Sequence, residues 1–307
     1  MEVNYSRLLR DDDSVEHFLV DVLQVDQRIS PAIIRKIVTS EKMLMDFKDE
    51  ENTLVSTKYR DRDYVNNVDR WKLRKQIIHE LFTLKRRDNE DEIKLGTGGA
   101  LPASGIRKDR KAYILIGPPA SGKSTVANKI AEKEGAIILD SDYAKRKFPE
   151  FEYECGATLV QKESNNIIFG FKNDNPLKLE GVCKLAVNEA YNVVIPKVGQ
   201  EPDKIVKLAE FLAETNYEVH LTLLYLKRRE ATIRALHRFN ETNRYVPLGY
   251  VFDNVGNDPL LCYYVLKERA DTCFRSFGMI MTDPDMQKNK RRIDLDVANP
   301  ACWYNVG

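Results

Sequence analysis

Cysteine is scarce and unorganised in this 307-residue chain: Cys155, Cys183, Cys262, Cys273 and Cys302 are odd in number, widely spaced and never paired as C-x-x-C or grouped with histidine. That pattern reads as reduced, mostly buried thiols rather than a metal site. Net charge is nearly missing too. The 48 Lys and Arg almost cancel the 47 Asp and Glu, leaving +1 in a chain that is 31% charged. Such a balance supplies no global field for nucleic acid or an anionic membrane. No apolar run approaches the roughly 18 residues of a membrane span, and the stretch from Met1 to Asp13 has no signal-peptide core. The expectation is a cytoplasmic protein without a membrane role.

Strand patterns are also missing from residues 1–88, where apolar positions recur at helical spacing instead. Ser30-Pro31 starts a helix through a capping serine and a proline at the first helical position, followed by Ile33, Ile34, Ile37, Val38, Leu44 and Met45. A second helix follows from Tyr64, Val68, Trp71, Lys75, Ile78 and Phe82. Its basic residues Arg70, Lys72, Arg74 and Lys75 read as a solvated face, and His17 and His79 as structural or surface residues without metal partners. Residues 89–110 are polar and Gly-rich and read as a linker; Gly96-Thr97-Gly98-Gly99 has no strand leading into it. From 111 to 307, apolar runs at Tyr113–Ile116, Ala136–Leu139, Asn192–Ile195, Val219–Leu226 and Gly278–Met281 alternate with helical patterns. The expected class is therefore α/β: a parallel sheet covered by helices on both faces, preceded by a small all-helical unit.

Against that background one motif stands out. Gly117-Pro118-Pro119-Ala120-Ser121-Gly122-Lys123-Ser124 fits G-x-x-x-x-G-K-[ST], directly behind the first strand and ahead of a helix that takes in Thr125. Glycines let backbone N–H groups close around phosphate oxygens, the lysine meets the β/γ-phosphates, and the serine hydroxyl faces Mg²⁺. The next strand runs into Asp140-Ser141-Asp142, placing two carboxylates at the edge that carries the phosphates. Asp142 is the candidate base for an attacking hydroxyl; Asp140 either helps hold Mg²⁺ or caps the following helix. Beyond the fourth strand, Arg238 and Arg244 are placed to fold over a transferred phosphoryl, with Arg234 one turn earlier. Lys227, Arg228 and Arg229 read as solvating the strand end.

These features, with Tyr143 to Phe151 and Ala190 to Ile195 in the same order, resemble the zeta toxin family of P-loop kinases over about residues 108–285. The resemblance implies ATP or GTP with Mg²⁺, a UDP-sugar such as UDP-N-acetylglucosamine as acceptor, and an antitoxin or other inhibitory protein as partner. A related effector branch implies NAD as acceptor. By motif position the family's base falls on Asp142, its loop lysine and metal-side hydroxyl on Lys123 and Ser124, and its lid arginines on Arg238 and Arg244. Two departures stand against this. Phe148-Pro149 occupies a His-Pro position, and Pro196-Lys197-Val198-Gly199-Gln200 replaces a Glu-Gly-Thr type acceptor segment. Lys197 and Gln200 thus become the candidate acceptor-side residues, with Lys197 directed either at a pyrophosphate or at solvent.

Other functions read less well from the same residues. Asp253-Asn254-Val255-Gly256 has the D-x-x-G form of a GTPase, but it lies far beyond the second strand and no N-K-x-D accompanies it. A nucleic-acid-end kinase shares the loop and base logic but calls for a basic, aromatic surface. A non-catalytic nucleotide-binding interaction protein would need neither a base nor lid arginines.

Overall fold

A computed structural model describes residues 7–25, 30–171, 179–269, 273–282 and 299, and the backbone of 292–293. Three helices come first: α1 (Asp12–His17), prolonged by a π turn at Phe18–Val22, then α2 (Pro31–Asp46) and α3 (Asn67–Thr83). The Ser30 hydroxyl accepts from Ala32 N at 3.2 Å and Pro31 takes the first helical position, as its sequence predicts. The alternating half follows as β1 (Lys111–Ile116), α4 (Lys123–Glu134), β2 (Ala136–Ile138), α5 (Ser141–Lys145), α6 (Gly156–Leu159), α7 (Gln161–Phe169) and α8 (Val182–Asn188). It continues through β3 (Asn192–Lys197), α9 (Pro202–Glu214), β4 (Glu218–Tyr225), α10 (Arg228–Thr242), α11 (Asp258–Glu268), β5 (Phe274–Met281) and β6 (Arg292–Ile293).

The sheet order is β2-β3-β1-β4-β5-β6, with β6 antiparallel to β5 and every other pairing parallel. β1 is central, and Ala112 to Ile116 are all buried, because helices cover both faces and leave no side for polar alternation. The chain leaves β1 toward β2 on one side and later crosses to β4 on the other. That reversal opens a crevice at the carboxyl ends of β1 and β3, where ligands of such sheets bind.

The early helices pack on two sides of this body. Leu73, Ile77, Ile78 and Leu81 of α3 join the same hydrophobic cluster as β1 to β4, so the break in sequence pattern at 89–110 is spanned by continuous packing. α1, its π turn and α2 bring Val15, Phe18, Leu19, Ile34, Ile37 and Val38 against Ala231, Ala235 and Phe239 of α10. α10 is the helix that carries Arg238.

The charged side chains of α3 depart from a solvated face. Lys72 and Lys75 are exposed, but Arg70 is wholly buried, with Nη1 2.6 Å from Glu150 Oε1 and Nη2 2.6 Å from Glu163 Oε2. Arg74 Nε lies 2.6 Å from Glu163 Oε1, and Thr53 Oγ1 donates to Glu163 Oε2 at 2.6 Å. The Arg70 guanidinium also covers the ring of Phe148, 4.7 Å from its centroid, so the aromatic residue in the His-Pro position serves as a platform for a buried cation. Next to it, Lys147 Nζ donates to Glu80 Oε2 and to the carbonyls of Lys94, Thr97 and Gly98. The Gly-rich stretch read as a linker thus closes around an ammonium.

Arg228 is exposed and the Arg229 side chain 42% exposed, as a solvated strand end predicts, yet both are also tethered. The Arg228 guanidinium lies over Phe252 at 4.4 Å, and Arg229 Nε donates to Leu23 O at 2.7 Å. Asp253, of the D-x-x-G sequence, accepts from Arg7 Nε at 2.8 Å and Nη2 at 2.9 Å, which fixes it as an anchor for the amino-terminal segment. Four cysteines, Cys155, Cys183, Cys262 and Cys273, are free thiols. Cys302 lies outside the described residues. No described helix is long and apolar enough to cross a membrane.

Candidate active site

The phosphate loop leaves the buried end of β1 and turns back into α4. Gly122 has φ 85° and caps α4, and Ala120 also lies in the left-handed region at φ 60°. Any Cβ on Gly117 would stand 2.5 Å from Leu224 O, so the loop can hug β4 only because that residue has no side chain. Gly117 N donates to Val198 O at 3.1 Å, and Gly199 (φ 80°) packs on Ile116, tying the segment after β3 to the loop.

Lys123 Nζ folds back on the loop, 2.7 Å from both Gly117 O and Pro118 O. Burial pushes its ammonium down to about 8, opposed by the carboxylates of Asp140 and Asp142. Ser121 Oγ is buried and has no hydrogen-bond partner, an orphaned donor inside the cradle. The orphaned Ser121 hydroxyl beside this loop fits a phosphate oxygen, and Ser124 and Asp140 are oxygen donors that would suit Mg²⁺.

Asp140 caps α5, its Oδ1 accepting from Asp142 N at 2.9 Å. Burial, together with the neighbouring Asp142, raises the Asp140 carboxyl above the ordinary range. Asp142 is displaced the opposite way: Lys145 Nζ, 2.7 Å from its Oδ1, holds it well below the usual value, helped by Arg146 and Arg238. Two carboxylates two residues apart are thus split by their surroundings, Asp142 firmly ionised and Asp140 more readily protonated.

Arginines close the other side. Arg238 presents a buried Nε with no hydrogen-bond partner and lies in the field of Asp142, while burial lowers its pKa. Arg244 Nη2 pairs with Asp91 Oδ1 at 2.7 Å, and its guanidinium sits 5.1 Å from the ring centroid of Phe151. Arg234 turns away, Nη2 donating to Thr282 O at 2.7 Å, and His237 is exposed.

The segment from 102 to 257, half of the chain, matches the family model described as Zeta toxin. The chain belongs to the zeta toxin family. No curated protein matches it in sequence. Among solved structures it is similar to the PezAT chromosomal toxin–antitoxin system of Streptococcus pneumoniae, at 17% identity and TM-score 0.51, covering 80% of this chain and 88% of that one. A gluconokinase from Sinorhizobium meliloti aligns at 15% identity and TM-score 0.31 over 59% and 86% of the two chains. The complex AvrRxo1-ORF1:-ORF2 with ATP aligns at 15% identity and TM-score 0.39 over 75% and 68%. At these identities the pneumococcal likeness speaks for the fold.

Within this zeta toxin fold, the acceptor-side expectations separate. Lys197 ends β3 opposite Ile116, with Nζ 3.4 Å from the centroid of Phe169. Burial lowers its ammonium to about 8 while the carboxylate of Asp140 opposes that. Gln200 is engaged elsewhere: its Nε2 donates to Asn254 O at 3.1 Å, and its Oε1 accepts from Tyr250 at 2.9 Å. Both ends of that amide are committed to the π turn at Tyr250–Val255.

Four contributors were not singled out in the sequence. Lys145 and Arg146 follow Asp142 by three and four residues, the spacing of one helical turn, which was the available signal. Glu90 and Asp91 gave no signal, because they belong to the polar stretch between the helical and alternating halves.

Proposed function

We propose that this protein is a kinase that transfers the γ-phosphoryl of ATP or GTP to a hydroxyl of a nucleotide-linked small molecule, a UDP-sugar of the UDP-N-acetylglucosamine type. The observation that carries the reading is the meeting, at one sheet edge, of the phosphate loop, the ionised Asp142 and the unpaired Nε of Arg238. Lys123 would leave Gly117 O and Pro118 O for the β- and γ-phosphates. Mg²⁺, held by Ser124 and Asp140, would neutralise charge on those phosphates when bound.

Asp142 accepts the proton of the acceptor hydroxyl, the hydroxyl oxygen bonds to the γ-phosphorus, and the bond to the β-bridging oxygen breaks, releasing the nucleoside diphosphate. In such loose transition states orientation outweighs basicity, so a strongly ionised carboxylate fixed by Lys145 suits the task. Arg238 faces the charge that spreads onto the transferred oxygens, and Arg244 flanks it on the side of Asp91. The toxin–antitoxin setting of the pneumococcal structure supports a neutralising protein as partner.

Lys197 favours a second reading, a dinucleotide such as NAD phosphorylated on its adenosine ribose. A cation stands at the end of β3 beside Asp140, where it suits a pyrophosphate.

The test is incubation with ATP, Mg²⁺ and a panel of UDP-sugars, NAD and 5′-hydroxyl oligonucleotides, with added phosphate read by mass spectrometry. Asp142→Asn is expected to lower transfer roughly 10²- to 10⁴-fold while nucleotide affinity stays unchanged. Equal transfer by the variant removes Asp142 as base, and hydrolysis with no labelled acceptor removes the kinase reading.

A further inference from the structure

Arg146 is the least satisfied buried cation in the cleft. Its side chain is only 9% exposed, yet Nε and Nη1 are buried without a hydrogen-bond partner. Nη2 reaches Glu90 Oε2 at 3.3 Å and Asp91 Oδ1 at 3.6 Å, far looser than the 2.6 Å bonds that hold Arg70. A buried guanidinium left with two free donors is costly unless something fills them.

The position narrows what that something is. Arg146 N donates to Asp142 O at 3.3 Å, so Arg146 stands one turn beyond the proposed base on the same face, and its charge reaches Arg238. Asp91 Oδ1 stands between two guanidiniums, 2.7 Å from Arg244 Nη2 and 3.6 Å from Arg146 Nη2. One carboxylate oxygen there holds the place of an anion oxygen. It is also poorly anchored: Asp91 is 48% exposed and belongs to a three-residue 3₁₀ turn, Glu90–Glu92, capped by Asn89. A phosphate offers three oxygens to guanidinium forks where this carboxylate offers one close contact.

We propose that Arg146 and Arg244 form an anion subsite on the acceptor side of the cleft, which receives a phosphate or pyrophosphate group of the acceptor in exchange for the carboxylate of Asp91. The word acceptor rests on the kinase reading; the subsite itself is read by binding. It makes the acceptor an anionic, nucleotide-type molecule rather than a free sugar. It also gives the turn at residues 89–92 the role of an internal competitor.

The test uses the full chain with its phosphate loop saturated by a non-hydrolysable ATP analogue and Mg²⁺, titrated calorimetrically with inorganic pyrophosphate and, separately, phosphate. The wild-type protein is expected to bind one further pyrophosphate. Arg146→Gln should weaken that binding roughly 10- to 100-fold, and Asp91→Asn should tighten it roughly two- to fivefold. Affinity for the ATP analogue should stay constant throughout. Because Asp91→Asn predicts a gain, misfolding cannot imitate it, and it decides the matter if Arg146→Gln does not fold. Equal pyrophosphate affinity in all three proteins, or uptake at the phosphate loop only, overturns the subsite. Acceptor phosphorylation with flat affinities would keep the kinase and discard the subsite; the expected affinities without any phosphorylation would do the reverse.

Discussion

Two clusters of arginine lie inside this protein, and they are built on opposite terms. Around Arg70 and Arg74, the carboxylates of Glu150 and Glu163 match the cations in number, and Thr53 and the amide of Asp61 add further donors. Around Arg146, Arg238 and Arg244, by contrast, guanidinium nitrogens remain buried and unpaired, and the contacts from Glu90 and Asp91 to Arg146 are long. A buried charge network that is nearly closed holds elements together. One left open has a place for a visitor. Arg70 and Arg146, 0% and 9% exposed, are therefore the same residue type at similar depth, one with every guanidinium nitrogen partnered and the other with two left open, and partner count separates them better than burial does.

Removing one member of the closed cluster should break the comparison most forcefully. Arg70→Leu leaves Glu150 and Glu163 without their main partner and is expected to lower stability by about 3–5 kcal/mol, read as an earlier midpoint in urea. Transfer per folded molecule should hardly change. Arg238→Ala is expected to act in reverse, lowering kcat by roughly 10²–10³ (about 2.7–4 kcal/mol) with the urea midpoint nearly unmoved. If Arg238→Ala unfolds the protein or Arg70→Leu abolishes transfer by folded molecules, the division fails.

The smallest effect is a pH dependence at Lys123. Its free ammonium, lowered to about 8, loses its proton above that pH, whereas a bound triphosphate would restore it. Nucleotide affinity should then fall as pH rises past 8, by at most about tenfold per pH unit, with proton uptake on binding. Calorimetry in buffers of different ionisation enthalpy reads that uptake. For stability the sign is opposite. The folded value lies below the unfolded one, so the unfolded chain binds more protons between about 8 and 10.5 and this lysine's contribution grows as pH rises through that window.

What could be read from the sequence was local. The loop, the five parallel strands and the carboxylates after β2 are set by residues within a few positions of one another, and the strands appear at or near the apolar runs. The Arg70 cluster could not be read, because its partners Glu150 and Glu163 lie 80 and 93 residues away and a buried arginine breaks the apolar stripe of its own helix. Asp91 was hidden for a related reason. A short polar turn looks the same whether it faces solvent or the arginine that caps α5.

The central position of β1 carries a consequence for how the protein is made. Both of its sheet neighbours, β3 and β4, are synthesised after it, and Arg244 later still. From Gly117 to Arg244 the ribosome must add 127 residues, which takes roughly 6–25 s at ordinary elongation rates. For most of that interval the loop has no β4 to lie against and no arginine of α10 beside it. A site so arranged cannot be assembled while the loop is first exposed, because the strand it lies against and the helix that carries Arg238 must both follow it out of the ribosome.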